Sequence, residues 1–176
     1  EDPLRTEAAG VIKKLRKAGF AQIVMMTGDS DRTARAIASK VGVDEYYSEV
    51  LPEDKARFIE EARKNGHKVI MVGDGINDSP ALSAADVGVA ISDGAELARE
   101  IADITIGADD LSVMVTLKEI SNGLMAKIHR NYRRIVGING TLIALGVTGV
   151  IQPTTSALLH NTSTLLIGMD SMKSVI

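Results

Sequence analysis

The sequence predicts an α/β fold with a parallel sheet in its first part and an uncharged helical region in its last part. Short apolar runs alternate with amphipathic segments between residues 8 and 106. Such alternation is typical of strands and helices that together build a parallel sheet with covered faces. From residue 135 to residue 169, by contrast, the chain has no Asp, Glu, Lys or Arg.

Each apolar run and each amphipathic segment of the first part predicts one element. Apolar runs predict strands at residues 22–26, 68–72, 87–91 and 104–106, and a further short strand is expected at residues 45–50. Helical periodicity predicts helices at residues 8–17, 31–41, 52–64, 79–85 and 95–101. Gly42 follows the second of these helices, where glycine commonly ends a helix. Pro52 and the acidic residues after it favour the start of the third helix.

The last part predicts a long helix that leads into two membrane helices. Residues 111–134 predict one helix, in which Gly123 is a weak point. Residues 135–151 and 154–172 are each close to the roughly 20 residues that span a bilayer, with a turn at Gln152-Pro153 between them. Basic residues flank the pair, so the positive-inside rule predicts that both ends are cytoplasmic. A buried helical hairpin in a soluble core is the alternative.

Three regions follow from these elements: a domain at residues 1–110, a connecting helix at residues 111–134, and two transmembrane helices at residues 135–176. The net charge of −3 indicates no general affinity for nucleic acid. Aromatic residues make up only 3% of the 176 residues, which argues against base stacking as a binding mode. The absence of Cys excludes disulfides and thiolate metal ligands.

The segment from Gly73 to Leu82 (sequence GDGINDSPAL) carries the clearest chemical signal. We expect Asp74 at the carboxyl end of a strand and Asp78 at the start of the next helix, where open α/β sheets bind ligands. Carboxylate oxygens beside a helix N-terminus suit Mg²⁺ together with phosphate. A capped turn without a ligand is the ordinary alternative, because Asp78 and Ser79 are also common helix-capping residues.

Further polar clusters follow other strands. Thr27 and Gly28 offer a hydroxyl and a backbone N–H to a phosphate, although Asp29 or Ser30 as a plain helix cap explains the same residues. Lys55 lies in the first turn of a helix, where a cation opposes the macrodipole. A phosphate partner explains this position, and a solvated side chain is the alternative. The sequence opens with a fourth cluster, residues 2–5 (DPLR), which a simple turn also explains.

Together, and in this order, the four clusters resemble P-type ATPases, which are ion pumps with a haloacid-dehalogenase-like phosphorylation domain. The resemblance covers essentially the whole chain and is strongest to the heavy-metal-transporting branch, in which two membrane helices follow this domain. It implies a Rossmann-like parallel sheet, Mg²⁺ and ATP as cofactors, and a divalent metal ion of the Zn, Cd, Co or Mn class as cargo. It also implies a multi-pass protein of the cell membrane, in contact with lipid, whose phosphorylation domain lies in the cytoplasm.

The resemblance assigns roles to individual residues. Asp74 corresponds to the Mg²⁺ ligand, and Asp78 and Asn77 to residues that support the metal and the phosphorylated Asp. Thr27 and Gly28 correspond to phosphoryl contacts, and Lys55 to the group that neutralises phosphate charge. Asp29 corresponds, with residues 2 and 5, to the hinge and the nucleotide edge. Phosphoryl transfer needs positioning and charge neutralisation, which suits these residue types.

In the last helix, the resemblance places His160 at the position of a ligand for the transported ion. An imidazole suits divalent transition ions better than Cu⁺. An ionisable residue within a membrane is a functional candidate by default, although a hydrogen bond between helices is the alternative for His160 and the simpler explanation for Asn139.

The chain also departs from the family. It has no Asp-Lys-Thr-Gly-Thr motif, whose Asp accepts the γ-phosphate, so we expect this chain alone to be inactive and to need the N-terminal part of the same pump. The alternative is an autonomous, membrane-tethered module that binds phosphate and Mg²⁺ without turnover. A soluble phosphatase of the superfamily is a third possibility, but it leaves the apolar tail unexplained.

Overall fold

The computed structural model describes residues 3–73, 77–91, 101–107 and 111–174, with side chains from residue 8 onward. Two compact units divide the chain, Glu1–Val115 and Thr116–Ile176. The predicted helix at residues 95–101 lies, except for Ile101, outside the described residues, as do Asp74 and residue 2.

The first unit alternates helices and strands. Its helices are α1 (Pro3–Lys17), α2 (Asp31–Val41), α3 (Pro52–Lys64) and α4 (Ser79–Ala84). Its strands are β1 (Val24–Met26), β2 (Glu45–Tyr47), β3 (Ile70–Gly73), β4 (Val87–Ile91) and β5 (Ile104–Ile106). The predicted α/β class is therefore confirmed for the described part of the chain.

All described strand pairs are parallel, as predicted. Strand β1 pairs with β2, and β4 pairs with β3 on one side and β5 on the other. Strand β4 is the buried centre of the three-stranded sheet, since Val89 and Ala90 are fully buried. Helix α4 packs on β3 and β4, and α3 packs on α4, so Ile59 and Leu82 are buried between them and the sheet. This packing holds the starts of α3 and α4 close to the end of β3.

Strands β1 and β2 are shorter than the predicted runs at residues 22–26 and 45–50. Strand β2 ends at Tyr47 because Glu49 has a φ of 56°, in the left-handed region that extended backbone does not use. Strand β1 begins only at Val24, since the N–H of Ile23 donates to the Asp44 carboxylate.

Two long helices form most of the second unit. Helix α5 covers Ser112–Val147, and α6 covers Pro153–Ser171 after the predicted turn at Gln152. The predicted helices at residues 111–134 and 135–151 are thus one continuous helix, because no proline interrupts the segment.

No helix in the described ranges is both long and apolar enough to cross a membrane. In this respect the structure differs from the prediction of a transmembrane hairpin at residues 135–172. The uncharged part of α5 ends early, at Val147, and residues 160–164 place a polar run in the middle of α6. The early end of α5 was not predicted, whereas the polar run is visible in the sequence and made residues 154–172 the less apolar of the two predicted spans.

In both the two-stranded and the three-stranded sheet, an Asp directly before one strand accepts a hydrogen bond from the backbone at the start of the neighbouring strand. Asp44 accepts hydrogen bonds from the Ile23 N–H at 2.7 Å and from Arg16 at 2.6 Å. Asp86 accepts them from the Val69 N–H at 3.0 Å and from Lys68 at 3.1 Å. In each case two hydrogen bonds hold the pKa of the carboxyl below its ordinary value. The bond from the backbone N–H has the largest effect, and the bond from the cation has the next largest.

The lowered pKa of Asp86 predicts a pH-dependent contribution to stability. The ionised carboxylate stabilises the fold above its unfolded pKa of about 3.9, and this contribution disappears as the pH falls through the lower folded pKa. We expect Asp86→Asn to lower the Tm by a few degrees at pH 7, and the difference from wild type to shrink below about pH 4. Thermal unfolding followed by circular dichroism between pH 7 and pH 2 measures it.

The matched control is Glu60→Gln, which removes the same charge from an exposed position on α3. It should leave the Tm unchanged throughout. A Tm difference for Asp86→Asn that stays constant down to pH 2 would contradict the role of the ionised carboxylate.

Candidate phosphate and metal site

The candidate site lies where β3 ends and α4 begins. Strand β3 ends at Gly73, which directly precedes Asp74, the predicted Mg²⁺ ligand. Asp74, Gly75 and Ile76 lie outside the described residues. The description resumes at Asn77, which is exposed, and Asp78, which is buried with 8% of its surface accessible.

Asp78 and Lys55 form an ion pair at this edge. The Lys55 Nζ lies 2.7 Å from the Asp78 Oδ1, and the two side chains are only 15% and 12% exposed. Asp78 occupies the N-cap position of α4, as expected, but its carboxylate makes no capping hydrogen bond. The pair also accounts for Lys55 in the first turn of α3, because a carboxylate offsets the unfavourable interaction with the macrodipole.

The pair is costly to break, since loss of one partner leaves a largely buried charge. Such losses typically destabilise a protein by about 3–5 kcal/mol. Chemically, the pair places an ammonium beside a carboxylate at the start of a helix. Ammonium groups bind phosphate as point charges, and carboxylate oxygens bind Mg²⁺. The donor set is therefore suited to phosphate and a hard divalent cation side by side.

Gly73 leaves the space that the Asp78 side chain fills. A Cβ atom at residue 73 would overlap the Cβ and carboxylate of Asp78, well inside van der Waals contact. Only glycine therefore lets Asp78 lie against the end of β3 while it reaches Lys55. Sequence reasoning gave Gly73 no role, although a glycine between a buried strand and an aspartate is a signal for such a close approach.

Thr27 and Asp29 form a second polar cluster, in the turn after β1. The Thr27 hydroxyl donates to the Asp29 Oδ2 at 3.0 Å, and the Asp29 N–H donates back to the Thr27 Oγ1 at 3.1 Å. Gly28 between them is exposed. The turn is thus held by its own side chains, with the backbone of Gly28 open to solvent.

The loop between β2 and α3 joins the two clusters. Its Val50 N–H donates to the Thr27 carbonyl at 3.0 Å, and its Glu49 N–H donates to the Asp29 carbonyl at 2.9 Å. The left-handed conformation of Glu49, which is uncommon for a residue other than glycine, directs the chain from β2 into α3. Nothing in the sequence indicated this conformation. Between the described side chains of the two clusters there is no direct hydrogen bond.

His160 lies on α6 and is exposed. Its carbonyl accepts hydrogen bonds from the hydroxyls of Ser163 and Thr164, each at 2.9 Å. These hydroxyls therefore bond the helix backbone rather than the imidazole ring. Within residues 3–73, 77–91, 101–107 and 111–174, no three His, Cys, Asp or Glu side chains are close enough to hold a metal ion together.

Gly73→Ala tests the close approach at the end of β3. The added methyl group should displace Asp78 from Lys55 and destabilise the chain by roughly 1–3 kcal/mol, as overpacking commonly does. Urea unfolding measures the change. Gly28→Ala is the matched control, because it adds the same atom at the end of β1 with only ordinary contact, 3.9 Å from the Val50 carbonyl oxygen. Equal effects of the two substitutions would contradict the proposed overlap.

Several known proteins match this chain over nearly its whole length. Residues 1–86 match the sequence model of the haloacid dehalogenase-like hydrolases. A manganese-exporting P-type ATPase of Mycobacterium leprae is 38% identical over 175 residues, which cover 99% of this chain and 24% of the relative. A copper-transporting P-type ATPase of Rhizobium leguminosarum is 42% identical over 161 residues, or 90% of this chain and 18% of the relative.

Among solved structures, a zinc-transporting PIB-type ATPase in its E2.Pi state matches 93% of this chain and 27% of its own, with 31% identity and a TM-score of 0.84. The chain thus spans between 18% and 27% of the length of these proteins. It carries a haloacid dehalogenase-like hydrolase domain, and its homologues are heavy-metal P-type ATPases.

Proposed function

We propose that this chain is the C-terminal portion of an ATP-driven heavy-metal pump and supplies part of its phosphoryl-transfer site. The observation that carries the proposal is the buried ion pair of Lys55 and Asp78 at the end of β3. Residues 1–110 then form the C-terminal part of the phosphorylation domain, residues 111–134 connect it, and residues 135–176 follow as the last helices. The parent pump acts at a membrane, with the phosphorylation domain on the cytoplasmic side.

In this proposal the residues at the end of β3 hold Mg²⁺ and neutralise charge. Asp74 and Asp78 are the carboxylates for the metal, and Asn77 adds an amide at the same helix start. Mg²⁺, when bound, supplies charge neutralisation at the transferred phosphoryl group. Lys55 acts as a second positive charge, already placed within 2.7 Å of Asp78. Its ammonium has three protons to donate, so it can bind phosphate and Asp78 together.

The turn after β1 contributes the remaining phosphoryl contacts. Thr27 and Gly28 offer a hydroxyl and a backbone N–H. The Thr27 hydroxyl donates its one proton to Asp29 in this structure, so it has to rotate away from Asp29 to donate to phosphate. The backbone N–H of Gly28 is a fixed donor, and fixed donors stabilise developing charge without reorganisation during the reaction. The acceptor aspartate and the nucleotide contacts come from the N-terminal part of the pump, since this chain has no Asp-Lys-Thr-Gly-Thr motif.

The transported ion in this proposal is a divalent metal bound with the help of His160. The relatives include manganese-exporting, zinc-exporting and copper-transporting ATPases, so they leave the class of metal open. The preference for a divalent ion rests on the imidazole of His160 and on the absence of Cys. Further ligands come from other helices of the parent pump.

The phosphoryl-site proposal predicts distinct effects of two substitutions in the full-length pump. Asp74→Asn should abolish Mg²⁺-dependent phosphorylation from labelled ATP, because a hard metal ligand is lost. Lys55→Ala should slow phosphorylation on the order of 10²–10³-fold, the usual effect of losing one charge-stabilising group. Acid quench of the labelled phosphoenzyme measures both.

Lys64→Ala is the control for these variants, because it removes an exposed lysine from the other end of α3. It should phosphorylate like wild type. Normal rate and normal Mg²⁺ dependence in Asp74→Asn would refute the assignment of the metal site.

The transport proposal predicts that His160→Ala lowers metal-stimulated ATPase activity of the parent pump, and that Mn²⁺, Zn²⁺, Co²⁺ or Cd²⁺ stimulates wild type more than Cu⁺. The control is His129→Ala, which removes an exposed imidazole on α5 whose Nδ1 bonds the Met125 carbonyl of its own helix. Wild-type activation of His160→Ala by every ion would exclude the site. Strongest activation by Cu⁺ would exclude only the divalent cargo.

A further inference from the structure

Three side chains on one face of α5 bond the C-terminal end of α6. Lys127, Asn131 and Arg134 are spaced four and three residues apart, which places them in a row along the helix. The Asn131 Nδ2 donates to the Ser171 hydroxyl at 3.1 Å. The Arg134 guanidinium pairs with the Asp170 Oδ2 at 3.0 Å. We call these contacts, with the one made by Lys127, the polar clasp.

Lys127 completes the clasp at the end of α6. Its ammonium donates to the carbonyl of Lys173, just beyond the last helical residue. The last carbonyls of a helix lack partners within the helix and carry partial negative charge, so a cation there is favourable. Lys173 in turn pairs with Asp170 at 2.9 Å. Hydrogen bonds from Lys173, which has the larger effect, and from Arg134 hold the pKa of Asp170 below its ordinary value. Asp170 therefore stays ionised at neutral pH.

The clasp contains most of what is buried in the second unit. In its described part, the buried side chains are those of Lys127, Asn131 and Leu142. Helix α6 has no buried residue, and many large apolar side chains of both helices are exposed. The described buried side chains of this unit are thus two polar groups and one leucine. The Asn131 Oδ1 is buried without a hydrogen-bond partner, which is unfavourable.

Polar groups at a helix contact typically specify register at a cost in stability. Apolar faces of similar shape allow one helix to slide along another, whereas a buried Asn or an ion pair is satisfied in one alignment only. A slip by one helical turn displaces a residue by about 5.4 Å. Such a slip would separate all three clasp residues from their partners on α6.

We propose that Lys127, Asn131 and Arg134 fix the axial register of α6 on α5 and thereby the height of His160 on that helix. His160 precedes Asp170 by ten residues on α6, so the two move together as parts of one helix. The statement about register depends only on the clasp. The consequence for a metal ligand rests on the proposed function of His160.

The register is measured as a distance between two spin labels on the purified chain in detergent solution. The chain has no Cys, so Leu124→Cys on α5 and Leu165→Cys on α6 give unique labels at exposed positions outside the clasp. Double electron–electron resonance should give one narrow distance peak when the clasp is intact. Asn131→Leu and Lys127→Met should each add a second peak displaced by several ångströms, up to about one helical turn.

Arg133→Gln is the control, because it removes a neighbouring guanidinium whose bond is to the His129 carbonyl of its own helix. It should leave the peak unchanged. An unchanged peak in Asn131→Leu and Lys127→Met would overturn the proposal. If these variants lose the hairpin altogether, Ser171→Ala decides: it removes only the acceptor of Asn131, and a broadened peak supports the clasp whereas an unchanged one refutes it.

Zn²⁺ titration of the parent pump distinguishes a failure of the clasp proposal from a failure of the proposed function of His160. With both correct, Asn131→Leu weakens Zn²⁺ binding by about tenfold, the lower end of the usual cost of losing a hydrogen bond to a metal ligand, because Asn131 acts on His160 only through the position of α6. His160→Ala weakens it at least as much. Unchanged Zn²⁺ binding in His160→Ala refutes the transport site, while the spin-label distances still test the register. Changed distances with unchanged Zn²⁺ binding in Asn131→Leu refute the link from the clasp to His160.

Discussion

The ion pair of Lys55 and Asp78 is the constraint on which the candidate site depends. It joins the first turn of α3 to the N-cap residue of α4, and the sequence separates these two helices by a full strand. Both charges are largely removed from solvent, so neither helix start can shift without leaving one charge unpaired. Gly73 is required by the same contact, since the Asp78 side chain fills the space that a Cβ would occupy.

The pair also explains why a site of this kind sits on helix starts rather than within strands. A lysine at a helix N-terminus is unfavourable, and its position becomes acceptable only beside an anion. Asp78 provides that anion in the absence of phosphate. Because an ammonium has three donors, phosphate can be bound without release of Asp78. The positive charge is thus already in place when the phosphoryl group arrives, which is the condition for stabilising charge without reorganisation.

The sequence predicted the class of fold and the positions of the polar clusters, because both follow from local patterns. Alternating apolar runs indicated the parallel strands, and Thr27, Lys55 and Asp78 were expected at strand ends or helix starts. What it did not predict depends on contacts distant in the chain. The direct bond between Lys55 and Asp78 spans 23 residues. The early end of β2 follows from the backbone of Glu49, for which no residue pattern gives a signal.

The two units differ in how they are held together, and this explains the remaining disagreement with the sequence prediction. The first unit has an apolar interior around Val89 and Leu82, whereas in the second unit hydrogen bonds and an ion pair join polar groups on α5 to the end of α6. An uncharged stretch suggested a membrane hairpin, but the polar run in α6 lowers its apolar character below what a span requires. Apolar side chains such as Ile143 and Leu158 are nevertheless exposed on the second unit. Contiguous exposed apolar patches usually mark a contact with a partner. In our proposal that the chain is part of a longer pump, other helices of that pump cover these side chains.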